Sequence, residues 1–507
     1  MDVNSTAEVI PEGPSQFFGW LDFTFFLSML GVSTLIGIYF GFWGKKEETP
    51  KEYLHGGKTM STLPVAVSLV TSVLSGVAMM GTPTEIYRFG TIYWNVIFGA
   101  VIAGIINYYL YLPVFYELQI TSTYEYLEMR FSRRIRVMAS VLYTINLLLY
   151  VPIVVYVPAL VLSQVSGLNI HFITVGTSII CVFYTMLGGL KAVVWTDFLQ
   201  GLVMLLSSVL IIIFGLIHAG GFGAVWQRNE EGGRIQFIDM DPNPFIRLTS
   251  WSVIIGTSVN WMSVIGVNQS MVQKFISVPT IKNSKRSLIL CILGIMLIKS
   301  IVCYIGLLIY SAYYNCDPIK SKAITRPDQL ASYYVIDIIA PSMPGLPGLF
   351  VAGIFSAALS TMSGCLNSLG ATLFEDFVRP RIDKSVTDET INKIIKSMVI
   401  IVGSICLLFV FIVDKFGNIL QLTISVLGVT SGSMLGLFTF GMFFPRGNSK
   451  GALAGSISSL LSMSWIVYKA QEAISDGRFK SPLLPTSTEG CVFNVTIGES
   501  TLNKTLG

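Results

Sequence analysis

Apolar runs of about twenty residues recur along the chain, separated by shorter polar stretches. A bilayer core about 30 Å thick needs roughly twenty apolar residues per helix, so each run is long enough to cross as one. Twelve spans are predicted, at 18–43, 63–81, 92–115, 137–163, 170–187, 195–218, 251–273, 287–313, 347–372, 395–413, 419–443 and 450–469. The expected fold class is therefore an all-α polytopic membrane protein.

Two of these spans are interrupted in matching places. Helix two reads SLVTSVLSGVAMMG (68–81), with Thr71, Ser72, Ser75 and Gly76 at its middle. Helix seven (251–273) carries Gly256, Thr257, Asn260, Gly266, Asn268 and Gln269. Polar or glycine breaks at corresponding points of two halves are the sequence mark of inverted-repeat transporters. The two helices are five apart, and because five is odd the second copy enters the membrane from the opposite face. This predicts a five-plus-five inverted-repeat core with broken helices. The first repeat is 63–187 with 195–218 and the second is 251–443, flanked by a peripheral first helix (18–43) and twelfth helix (450–469). Segments 1–17 and 470–507 lie outside the spans. Small residues also serve close helix packing, but packing alone does not account for the matched placement.

Helix nine contains FSAALSTMSGCLNSLG (355–370), five hydroxyls in an apolar run. As a helix it sets Ala357, Ser360 and Thr361 at i, i+3 and i+4 on one face. Single intramembrane hydroxyls commonly bond back to their own helix. An adjacent pair facing an interrupted helix can do more. Hydroxyls and carbonyls rehydrate a hard monovalent cation without burying a full negative charge, and a broken helix two frees carbonyls near Thr71 and Leu74. Sodium is the expected ligand.

Composition agrees, with 52% hydrophobic and 12% charged residues and a mean hydropathy of +0.68. The formal net charge of +4 is spread over loops with no basic block, which excludes a nucleic-acid partner. The lipid bilayer is the implied surrounding, and nothing fixes an oligomeric state. The loops at 44–62, 116–136, 188–194, 274–286, 374–396 and 444–450 hold 20 Lys plus Arg against 12 in the opposite set, so the first set is expected to face the cytoplasm. Glycosylation sequons at Asn4, Asn494 and Asn503 all fall on the other side, which places both termini outside. Cys316 and Cys491 fall in outer loops, where they are placed to form a disulfide; the other five cysteines lie within helices. His55, His171 and His218 stand apart with no nucleophile or metal spacing, so no enzymatic reaction is expected.

LHGGKTM (54–60), GTPTEIYRFG (81–90), TSTYEYLEMRFSRRIR (121–136), MLGGLKAVVWTDFLQG (186–201), FSAALSTMSGCLNSLGATLFEDF (355–377) and GMFFPRGNSKGA (441–452) occur in this order. Together they resemble the sodium:solute symporter family, in the branch of monocarboxylate, multivitamin and iodide transporters, over residues 20 to 470. The resemblance implies a sodium ion held by the carbonyls of Thr71, Leu74 and Ala357 with the hydroxyls of Ser360 and Thr361. It further implies a second sodium and substrate region near Ser75 and Tyr150, in which Ala78, Trp94 and Asn268 are also candidates. Ala78 replaces the glutamine of iodide-type carriers, and Tyr93 beside Trp94 replaces the acid of sugar carriers. A small organic anion, a monocarboxylate or anionic vitamin, is therefore the expected substrate, imported with sodium by alternating access; iodide, or a transport-inactive sensor or channel of the same fold, is the alternative. Lys299 is a basic residue well inside a span, either a substrate counter-charge or a structural lock. Asp197 is read as a helix N-terminal acid. Glu85, Tyr87 and Arg88 are read as following helix two on the outer side. A thirteenth helix is common in the branch.

Overall fold

The structure, a computed structural model, describes residues 18–43, 49–243, 245–383, 385–413, 419–478 and 482–491. The sequons at Asn4, Asn494 and Asn503 lie outside the described residues. Among the described residues the fold is all helix and turn, and each of the twelve expected spans falls on helix.

Helix one is Trp20–Ile38, continued by the wider turn Tyr39–Trp43. Helix two is two pieces, Thr62–Val73 and Gly76–Phe89, bent by 60°. Helix three runs over Thr91–Leu118 and helix four over Arg133–Ser166. Helices five and six form one helical stretch, Ile170–Ala219, whose 50 residues are too long for one crossing. At about 1.5 Å per residue it would reach some 75 Å. It divides at Gly189, which has φ 53° and ψ −148°. Any side chain there would also strike Tyr53, 2.7 Å from the position a Cβ would take, so only glycine satisfies both the dihedral and the space.

Helix seven is Ser250–Trp261, a π-helical turn Met262–Val267, and a separate piece Gln269–Ile276. Helices eight to twelve are Ile281–Ala312, Leu346–Leu373, Asp388–Val413, Ile419–Phe443 and Ser449–Ser475.

Helix nine is the axle of the fold. From Leu346 to Thr372 all but Leu349 are buried, because its glycines, alanines and serines let neighbouring backbones close on every side. Helices two, four, five and six pack around it. Helix one also lies along helix nine, where Asp22 Oδ1 accepts from the Gly348 N–H at 2.7 Å. Helix twelve is mostly exposed and packs along helix eleven.

Two of the boundaries that differ from expectation change where charged residues lie. Helix two continues through Phe89, so Glu85, Tyr87 and Arg88 belong to its second piece, and Tyr87 is buried. The turn at Gly90 (φ 81°) ends it. Helix seven runs on to Ile276, with all eight residues of its last piece buried, which carries Lys274 into the protein rather than into a loop.

Candidate functional site

The break in helix two fixes the site. Leu74 leaves the helical region at φ −95° and ψ 86°, and Ser75 is extended at φ −71° and ψ 163°. The Ala78 N–H bonds Ser75 O at 2.9 Å instead of reaching back to Leu74. The carbonyls of Thr71 and Leu74 are thereby released from helical bonding, as the ends of any helix release theirs. Gly76 allows the break to sit against helices four and nine, because a Cβ there would lie 3.0 Å from Ile354 O and 3.1 Å from Pro158.

Helix nine supplies the facing oxygens. Ser360 Oγ donates to Thr71 Oγ1 at 2.8 Å, and Thr361 Oγ1 donates to Ala357 O at 2.9 Å. Thr71, Leu74, Ala357, Ser360 and Thr361 are each 3% exposed or less. The expected set is thus shared between two elements that sequence places almost 290 residues apart. Neutral oxygens on two rigid walls, shielded from water, are chemistry suited to a sodium ion.

Beside this set lies an ion pair that sequence reasoning missed. Lys274 Nζ and Asp197 Oδ2 are 2.8 Å apart, and both side chains are 0% exposed. Ser68 donates to Asp197 Oδ2 at 2.6 Å and Ser363 to Oδ1 at 3.4 Å. The Ser360 hydroxyl is also within reach of that carboxylate. Lys274 further donates to Ser72. Asp197 therefore does not cap a helix N-terminus: it lies eight residues past the Gly189 break and ties helix six to helices two, seven and nine. The findable signal was a lysine six residues after the polar break at Asn268, opposite an aspartate in another apolar span.

The second group is only partly gathered. Ser75 lies against the Tyr150 hydroxyl, and Ala78 follows one turn along the same piece of helix two. Asn268 forms the break of helix seven, and its side chain accepts from the Ser270 N–H at 2.9 Å. It lines a cavity of about 50 Å³ with Tyr143, Asn146, Ser263, Thr430 and Ser431. Trp94 instead turns to helix eight, donating from Nε1 to Ser300 Oγ at 3.0 Å and packing edge-on against Phe237. Lys299 is also on helix eight, with Nζ 3.2 Å from Thr82 Oγ1. Cys316 and Cys491 form the expected disulfide, and the other five cysteines are free and buried. Among the described residues no three of His, Cys, Asp and Glu cluster as metal ligands.

Residues 53–459 match the sodium:solute symporter family. Sodium-coupled monocarboxylate transporter 2 of Mus musculus is 40% identical over 487 residues, 95% of this chain and 77% of that protein. Sodium-coupled monocarboxylate transporter 1 of Homo sapiens is 40% identical over 91% of this chain and 75% of its own. The sodium/iodide cotransporter of Homo sapiens is 37% identical over 96% and 75%. Among solved structures, the substrate-bound outward-open state of a Na+-coupled sialic acid symporter superposes with a TM-score of 0.76 at 25% identity, over 92% of this chain and 99% of that one. The closed form of Mhp1, a nucleobase-cation-symport-1 family transporter, shares the fold at a TM-score of 0.55 and 15% identity, over 86% and 97%. The protein is a multi-pass membrane carrier rather than an enzyme, it couples solute movement to sodium by alternating access, and it belongs to the sodium:solute symporter family.

Proposed function

We propose that this carrier imports a small organic anion of the monocarboxylate class together with sodium. The observation that carries the reading is the 40% identity, over nine-tenths of the chain, to sodium-coupled monocarboxylate transporters of two kinds. Iodide is the second reading, favoured by the 37% identity to the sodium/iodide cotransporter. It is weakened by Ala78, which offers no polar atom where iodide-type carriers place a glutamine.

Sodium binds between the released carbonyls of Thr71 and Leu74 on one wall and Ala357, Ser360 and Thr361 on the other. It thereby ties helix nine to the break of helix two and holds the form that accepts substrate from outside. Ser75, Tyr150, Ala78 and the Asn268 break border the path of the solute. The two broken helices head repeats 63–187 with 195–218 and 251–443, and helices one and twelve stand outside the repeats. Rocking of one group of helices against the other then opens the site to the cytoplasm. The charge bias of the loops supports a topology with both termini on the outer side, and the carrier is placed in the cell membrane. Each sodium charge moving through 100 mV contributes about 2.3 kcal/mol, enough to concentrate a small solute many-fold.

The test is uptake into proteoliposomes of labelled propionate, lactate, iodide and a hexose, driven by an inward sodium gradient. Sodium-driven accumulation of the monocarboxylates is expected. Accumulation of iodide or hexose without them overturns the substrate class, and ion flux beyond any carrier's turnover overturns the carrier reading.

A further inference from the structure

Eight acidic or basic side chains are buried among the described residues. Seven have partners that offset their burial. Asp197 pairs with Lys274, Asp376 with Arg136 and Glu375 with Arg379. Asp22 and Asp317 each accept backbone N–H groups. Arg234 donates to two carbonyls and lies 3.8 Å over the Tyr310 ring. Lys299 is the exception. It is 5% exposed, and among the described residues its one hydrogen-bond partner is the neutral Thr82 hydroxyl and no carboxylate lies within 4.0 Å of it. Its ammonium lies 5.5 Å from the centre of the Tyr93 ring.

A buried ammonium with one neutral acceptor is expensive to hold. Intramembrane charges left in this state belong to substrate or ion pathways more often than to packing. The position of Lys299 says which pathway. Thr82 stands four residues after Ala78 on the second piece of helix two, whose N-cap is Ser75. Residues spaced i and i+4 share a helix face. At 1.5 Å per residue Thr82 lies about 6 Å beyond Ala78 along the axis. The Lys299 ammonium therefore meets the same face that carries the small Ala78, one turn further along the helix.

We infer that Lys299, with Thr82 beside it, receives the carboxylate of the transported anion. The inference rests on the anion-carrier reading above and deepens it by naming the counter-charge. One ammonium and one hydroxyl complement a single carboxylate, so the site selects monoanions over neutral solutes. Dianions would bring a second charge with no partner.

The test is sodium-driven uptake of labelled propionate by wild type, Lys299→Met and Lys299→Arg, with surface level measured alongside and sodium-dependent thermal stabilisation of each purified protein as a separate readout. Lys299→Met keeps an unbranched chain of similar reach and removes the charge. It is expected to raise KM for propionate tenfold to a hundredfold while leaving the sodium-induced Tm rise intact, and Lys299→Arg is expected to recover part of the loss. An unchanged KM in Lys299→Met overturns the assignment while leaving the carrier reading standing. Equal loss of surface level and sodium stabilisation in both variants makes Lys299 a structural lock and likewise overturns it. Should Lys299→Met not reach the surface, Lys299→Arg decides by whether its KM for propionate shifts at constant sodium affinity. A wild type that drives no monocarboxylate overturns the substrate class and the assignment together.

Discussion

Replacing Lys274 by methionine removes the positive half of the ion pair beside the proposed sodium ligands and leaves Asp197 in place. Both side chains are fully enclosed and their nearest atoms are 2.8 Å apart, so water cannot enter to compensate. The serines that remain, Ser68 at 2.6 Å and Ser363 at 3.4 Å, supply hydroxyl dipoles but no charge. Breaking a buried pair in this way costs about 3–5 kcal/mol, a large part of the 5–15 kcal/mol that holds a typical domain together. Asp197→Asn should cost a similar amount by stranding the ammonium. The double variant Asp197→Asn with Lys274→Met has no unpaired charge, and its total loss should be smaller than either single change. The coupling should exceed about 2 kcal/mol. The assay is denaturation of the four purified proteins in detergent, with surface abundance in cells as a second reading. Losses that simply add in the double variant would refute the reasoning, because they would mean the two charges do not neutralise each other in the folded protein.

Other expectations follow from the edges of the fold. The Cys316–Cys491 disulfide ties residues 482–491 to the turn after helix eight, where Asp317 N–H bonds Ser487 O at 2.9 Å, and Leu484 N–H bonds Arg88 O at the end of helix two at 3.0 Å. Cys316→Ser should lower stability by about 2–4 kcal/mol and abolish any effect of dithiothreitol on the melting temperature; a reductant effect that persists in the variant would contradict this. His55, in the connection between helices one and two, has its pKa pushed from 6.5 down to about 4 by burial and by the nearby Lys51 and Lys58. Because the folded value lies below the unfolded one, its contribution to stability is full above pH 6.5 and is lost as pH falls toward 4. His55→Gln should flatten the melting temperature over that window, and an unchanged slope would reject the assignment.

Much of this arrangement was legible in the sequence because it depends on local properties. Hydropathy located every span, and the polar interruptions at Thr71–Gly76 and at Asn268 lie where the chain leaves helical geometry. The hydroxyls of helix nine could be placed on one face by spacing alone. Lys274 could not, since hydropathy assigns a lysine at the edge of an apolar run to a loop. Its burial depends on Asp197, 77 residues away. The same limit applied to Asp197, whose position looked like a helix start until Gly189 proved to be the break. The extension of helix two to Phe89 was hidden by the polar run TPTEIYR, which remains helical because Tyr87, Thr82 and Thr84 are buried against neighbouring helices. Trp94 was grouped with the site by the family resemblance, while its direction toward Ser300 is a tertiary fact.

The central claim is that sodium joins helix nine to the break of helix two, and it is tested most directly by the sodium dependence of uptake. Initial rates of propionate uptake would be measured for wild type, Ser360→Ala and Thr361→Ala as sodium replaces choline at constant ionic strength. The account predicts uptake that requires sodium in the wild type, with the half-saturating sodium concentration raised at least tenfold in both variants at normal surface level. Sodium activation curves that superimpose for all three proteins would contradict it.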